Sequence, residues 1–246
     1  MKKIMTMLAM TAAILAVSCN KNDKPGKDNK EEEEEEYVAP IIIDGDTSDW
    51  AKLDASKVQS CTLKAADTWD YDEIKSAKVY ADELYVYIYM QFNSTLEPNP
   101  NIADGSHFAI YFNGDNNTAT GGYPGQWEQG ETPCIDVLVM GQYFNPDGWV
   151  NNLDAQIFNW TGENNGEGWH WTEAEVSNFF EGYCTSKGIE IALARDLYPG
   201  TFAEEFTMGF QLQTNCWDAT GALPNADPSD DNPSGKAPLM KVIVNK

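Results

Sequence analysis

The sequence predicts an all-β domain, an antiparallel β-sandwich, and three observations carry that expectation. The first is alternation with a period of two. In DELYVYIYMQF (82–92), Leu84, Val86, Ile88, Met90 and Phe92 share one parity, while Tyr85, Tyr87, Tyr89 and Gln91 share the other, so both faces of this strand are expected to be covered. The second is punctuation: the alternating segments are separated by EPNPNIADG, GYPGQWEQGETP, NPDG, TGENNGEG and NADPSDDNPSG, all rich in the residues that turns require. The third is that no sustained 3.6-residue periodicity follows the N-terminal apolar run, which leaves many short strands to pack against one another.

Taken in order, residues 1–18 read as a secretory signal. Lys2 and Lys3 precede an apolar run from Ile4 to Val17, which is shorter than the roughly 20 residues a bilayer core needs. LAVSC (15–19) resembles the cleavage site of a bacterial lipoprotein, with Cys19 as the lipidated residue, although Ala16 stands where Leu, Val or Ile is commoner. Residues 19–40 are polar and carry the run Glu31 to Glu36. Such a segment buries too little to order itself and reads as a tether spanning on the order of 25 Å. A lipobox followed by an acidic run resembles the surface-export signal of Bacteroidota lipoproteins, which implies an outer-membrane location facing the exterior.

The globular part is expected at 41–246 as one domain, long enough for a single sandwich core. Its strands are expected at 57–64, 75–81, 82–92, 107–113, 135–142, 155–160, 187–194, 206–215 and 239–244, and TEAEVSNFF (172–180) could form a helical turn. In HFAIYFN (107–113) the inward set is Phe108, Ile110 and Phe112. In FTMGFQLQTN (206–215), Phe206, Met208, Phe210 and Leu212 face opposite Thr207, Gly209, Gln211 and Gln213.

Beyond residue 36 the chain carries 10 basic and 31 acidic residues, a net charge of −21. A surface so acidic repels nucleic acid and anionic lipid and leaves neutral or cationic ligands. Cys61, Cys134, Cys184 and Cys216 lie far apart with no Cys-x-x-Cys, which excludes a zinc knuckle and leaves disulfides and free thiols as open alternatives.

Five segments in succession resemble the carbohydrate-binding modules of family 9 and the wider DOMON-like β-sandwiches: IIIDGDTSDW (41–50), KVYADELYVYIYM (78–90), FAIYFNGDNNTATGGY (108–123), GIEIALARDLYP (188–199) and TMGFQLQTNCW (207–217). The resemblance spans essentially all of 41–246 and implies a non-catalytic domain that binds a glycan, alone or with other outer-membrane glycan-uptake proteins. The family's sugar binders clamp a ring between two Trp, one of them after the penultimate strand with an Asn before it. Asn215 and Trp217 match that pattern, and Trp69 and Trp127, both in loop-like segments, are the candidates for the partner. Indole faces stack on pyranose C–H surfaces while amides and carboxylates take the hydroxyls. Trp50, Trp160, Trp169 and Trp171 adjoin predicted strands or turns and are expected to pack. The family also uses arginine at its sites; here Arg195 is the single Arg and follows a strand.

Calcium is the expected cofactor. Asn113, Asp115, Asn117 and Thr118 crowd hard oxygen donors into one Gly-containing loop, and Asp44, Asp46 and Asp49 form a second cluster on the segment from which the resemblance implies a structural calcium. Asx-capped turns need the same residues, so each cluster has a purely structural alternative. DOMON-like domains can also hold haem between Met and His. His107 with Met90, Met140 or Met208 is the rival set, and a structural surface protein without a small ligand is the third class. With two His and neither Gly-x-Ser-x-Gly nor His-Glu-x-x-His, the sequence offers little for hydrolytic chemistry.

Overall fold

Strands form where the alternation places them. The computed structural model describes residues 37–64, 71–93, 105–123, 134–174, 180–197, 200–227, 229, 231 and 235–246. The chain divides into two units, Met1–Val38 and Ala39–Lys246, and the strands all belong to the second. In chain order they are β1 (Gln59–Thr62), β2 (Ile74–Ala81), β3 (Tyr85–Phe92), β4 (Ser106–Asn113), β5 (Gly122–Tyr123), β6 (Val137–Asn145), β7 (Gly148–Trp149), β8 (Ala155–Trp160), β9 (Gly166–Glu167), β10 (Trp171–Glu173), β11 (Phe180–Thr185), β12 (Gly188–Ala194), β13 (Glu205–Gln213), β14 (Ala219–Leu223) and β15 (Met240–Ile243).

Two antiparallel sheets result, the layers of a β-sandwich. The smaller runs β1-β2-β3-β12-β11 and the larger β10-β8-β6-β4-β13-β14, with β15 pairing the other end of β13 and β7 extending β6. A short parallel pair, β5 with β9, ties two loops together. The core between the sheets comes from the parity read in the sequence: Val86, Ile88 and Met90 of β3, Phe108, Ile110 and Phe112 of β4, and Phe206, Met208, Phe210 and Leu212 of β13 are all buried. Leu84 departs from the expected set. It precedes β3 and is 50% exposed, because Asp82 Oδ1 accepts from the Leu84 and Tyr85 amides and turns the chain before pairing begins.

Both outer faces are also coated, as the double parity of 82–92 implies. On the smaller sheet, Ile41 and Trp50 lie over Tyr87, Tyr89 and Ala192. The 3-10 turn Thr47–Ala51 delivers Trp50, whose Nε1 donates to the buried Glu190 at 3.0 Å; the Gly45 amide donates to the same carboxyl at 2.9 Å. On the larger sheet, Ala109, Tyr111, Leu138 and Met140 pack with Ile135 and Trp171. Part of this second face is left open, and that opening is the groove described below.

Of the proposed helical turn at 172–180, the two ends are strand instead: Thr172 and Glu173 pair with β8 and Phe180 opens β11, while 175–179 lie outside the described residues. Cys61, Cys134, Cys184 and Cys216 are free thiols. Burial pushes the Cys61 thiol up to about 12 and raises Cys134 and Cys184 as well, which disfavours the thiolate at all three. The expected signal and tether, 1–18 and 19–40, lie outside the described residues up to Glu36.

Candidate functional site

The outward parity of β4, β6 and β8 builds one wall. His107 stands outward on β4. Met140 and Gln142 follow on β6, and Gln156 and Phe158 on β8; Gly141 and Ala155, of the opposite parity, and Asp154, just before β8, complete the lining. Together with Trp169 and Trp217 they line a groove of about 660 Å³, a volume that admits a ligand larger than a single small ring. Both indoles are exposed: Trp169 is 55% and Trp217 44% accessible. Trp169 meets Phe158 edge-to-face at 5.6 Å, and Trp217 stacks on His107 with ring centroids 4.9 Å apart and planes 25° from parallel.

Gly141 sets the floor. A Cβ there would run into the Asp154 carbonyl oxygen and the Phe108 ring, so only glycine lets the 154 segment approach β6 this closely. Among the described residues, Asp154 is the one carboxylate of the lining, and no Lys or Arg lines the groove. The arrangement offers aromatic faces, two amides, an imidazole and a carboxylate to a ligand.

No protein-family model and no curated protein matches the chain. Among solved structures it is similar to a family 9 carbohydrate-binding module from Caldicellulosiruptor kristjanssonii, solved in complex with cellotriose. The TM-score is 0.38 and the identity 10%, over 85% of this chain and 91% of that one. At that identity no residue is carried across.

Trp217 thus lies in the groove, while Asn215, half-buried in the same turn, is not among its lining residues. Trp69 and Trp127 lie outside the described residues. Trp169, expected to pack in the core or at an edge, does meet Phe158 but stays 55% exposed on the groove. Trp50 and Trp171 are buried as expected, and Trp160 meets Trp171 edge-to-face at 5.1 Å, but Trp169 stands out from the sheet between them. Its nearness to a predicted strand misled; the usable signal was Gly168, whose φ of +90° breaks the alternation before β10 begins. Gln211 and Gln213 share the outer face but are fully buried, and the Gln211 carbonyl accepts from the Tyr111 hydroxyl at 3.3 Å. Arg195 is committed to the scaffold: its guanidinium donates to the carbonyls of Asp82, Glu83, Phe202 and Ala203.

The 113–118 loop is held by its own side chains. Asn113 Oδ1 and Asp115 Oδ1 accept from the Asn117 amide at 3.0 and 2.8 Å, Asn117 Oδ1 accepts from Ala119, and Asp115 Oδ2 accepts from the Thr120 hydroxyl. Sequence reasoning missed Asp136. It is buried beside the loop, accepts from the Gly114 amide at 2.8 Å, and is pushed up to about 7 by desolvation and by the charge of Asp115. In the 44–49 cluster, Asp44 and Asp46 accept from the amides of Asp46 and Ser48. Asp49 accepts from the Ile42 amide and pairs with Lys52 at 2.6 Å. Among the described residues, no three His, Cys, Asp or Glu side chains converge on one point.

Of the haem set, Met90 and Met208 are buried between the sheets, away from His107. Met140 stands on the same wall as His107, since β4 and β6 pair His107 with Gln142 and Ala109 with Met140.

Proposed function

We propose that the domain is a non-catalytic carbohydrate-binding module, and that the groove between Trp169 and Trp217 is its glycan site. The observation that carries this reading is the pair of exposed indoles on one groove whose remaining polar lining is amide, imidazole and carboxylate. Stacking on the indoles would supply most of the affinity, and Gln142, Gln156 and Asp154 would read hydroxyls. The lipobox at Cys19 and the acidic run at 31–36 support a lipid-anchored protein displayed at the outer membrane, where it captures glycan for partner uptake proteins.

A glycan array with the intact protein tests the reading. Trp169→Ala and Trp217→Ala should each weaken retention by at least about thirtyfold, the ~2 kcal/mol of a hot-spot side chain. Because both indoles are exposed, neither change should lower the unfolding midpoint by more than a degree or two. Absence of retention on every glycan would leave a structural surface protein as the better reading.

Calcium at the 113–118 loop is supported by the facing carboxyls of Asp115 and Asp136, with Asn113 beside them. These three would hold the ion, whose part is to fix the loop. Calcium should raise the unfolding midpoint relative to chelator in proportion to ln(1 + [Ca]/Kd), and Asp115→Asn should remove the difference. Equal midpoints in calcium and chelator would leave the loop as an Asx-capped turn.

A further inference from the structure

Among the described residues, three non-glycine residues hold a positive φ: Asn116, Asn165 and Trp217. Asparagine adopts this conformation readily. A bulky aromatic does not, and Trp217, at φ +69°, is the outlier. Its partial exposure means that burial does not compensate the strain, so something local must hold it.

Two groups do. Thr214 closes the turn after β13: its hydroxyl oxygen accepts from the Cys216 amide at 3.1 Å and the Asp218 amide at 3.2 Å. Its own amide donates to the Asp218 carbonyl at 2.8 Å, and its carbonyl accepts from the Trp217 amide at 3.1 Å. From the sheet side, the His107 imidazole lies flat against the indole. His107 is set on β4, in the middle of the larger sheet, and is the register partner of Gln213 one residue before Thr214.

We propose that Thr214 and His107 are positioning residues, which hold the Trp217 indole in one orientation before any ligand arrives. The inference rests on the glycan reading for its purpose, since a platform fixed in advance spares the ligand the cost of ordering it. It does not rest on that reading for its test. The turn fixes where the indole emerges, and the imidazole fixes the plane in which it lies.

The test uses the intact protein labelled with 5-fluorotryptophan and observed by fluorine NMR without ligand, the Trp217 signal being assigned by its loss in Trp217→Phe. The unmodified protein should give one sharp Trp217 line. Thr214→Val, which keeps the shape and removes the hydroxyl, should broaden or split that line, and Thr214→Ser should restore it. His107→Ala should move it towards the position of a solvated indole, whereas His107→Phe should hold it near the original shift. Separately, Trp217→Gly should unfold at a higher temperature than Trp217→Ala. Neither variant stacks on His107, so their difference reads the left-handed backbone alone.

An unchanged Trp217 line in both Thr214→Val and His107→Ala would overturn the proposal, as would an alanine variant at least as stable as the glycine one. A variant that fails to fold would lose the dispersion of all its indole signals together, and the Trp217→Gly against Trp217→Ala comparison then decides. The expected spectra combined with an empty glycan array would defeat the glycan reading and leave the held indole standing. Retention on the array with a line insensitive to Thr214 and His107 would do the reverse.

Discussion

Glu190 shows how one residue joins distant parts of the chain. It is buried, it receives the Trp50 indole N–H and the Gly45 amide, and burial raises its carboxyl above the usual range against the opposing pull of those two donors. Trp50→Phe removes the first donor while keeping most of the ring. It should cost about 1–3 kcal/mol in chemical denaturation, the penalty of leaving a buried acceptor short of a partner, with glycan retention unchanged because the groove lies on the other sheet. The sequence made Trp50 legible as a packing residue, since it closes an Asp-Gly turn. The same logic failed for Trp169, because side-chain direction beyond a glycine of positive φ does not follow from alternation. His107 was legible as a polar strand residue and a candidate haem ligand, and not as the partner of an indole. Its contact with Trp217 spans more than a hundred positions, and no local pattern encodes such a meeting.

At the scale of elements, β4, β6 and β8 determine the site. Their inward residues fill the core between the sheets and their outward residues face the groove or the layer beside it. Gly141 is the point where spacing between elements is set. Gly141→Ala should destabilise the domain by roughly 1–3 kcal/mol, as overpacking against backbone does. It should also weaken glycan retention, because the Asp154 segment would have to retreat from β6; equal stability by denaturant titration would show that the segment yields freely. The long strands were legible because period-two burial writes itself into sequence on both parities. β5, β7, β9 and β10, two or three residues each, were not: they pair because neighbouring strands bring them alongside, and two residues carry no period. β11 was hidden because its first residue, Phe180, was read as the end of the helical turn 172–180 and the residues after it show no alternation of apolar side chains.

For the whole molecule, three carboxyls, the buried Glu190 and Asp136 and the half-buried Glu73, act on stability in the same direction. Desolvation raises Glu73, Glu190 and Asp136, the last to about 7. A carboxyl with a raised folded value takes up its proton more readily in the native state. Stability therefore increases as pH falls from neutral towards the ordinary carboxylate range, and is lost as pH rises through the folded value. Relief of self-repulsion in so acidic a domain adds to this. In chelator, the unfolding midpoint should rise between pH 7.5 and 5, and Glu73→Gln should flatten part of that slope; a midpoint that falls over this interval would contradict the assignment. The larger sheet bears the groove on its outer face, while the chain enters the domain on the opposite side, where Ile41 and Trp50 are fastened over the smaller sheet. A pull applied through the N-terminal segment while the groove grips a long polymer would load the Trp50–Glu190 fastening and the core in series. The indoles would sit at the far end of that force path. The bond to the ligand and the seam at Trp50 are then two separate mechanical fuses, and under tension the weaker of them decides whether the polymer is released or the domain begins to peel.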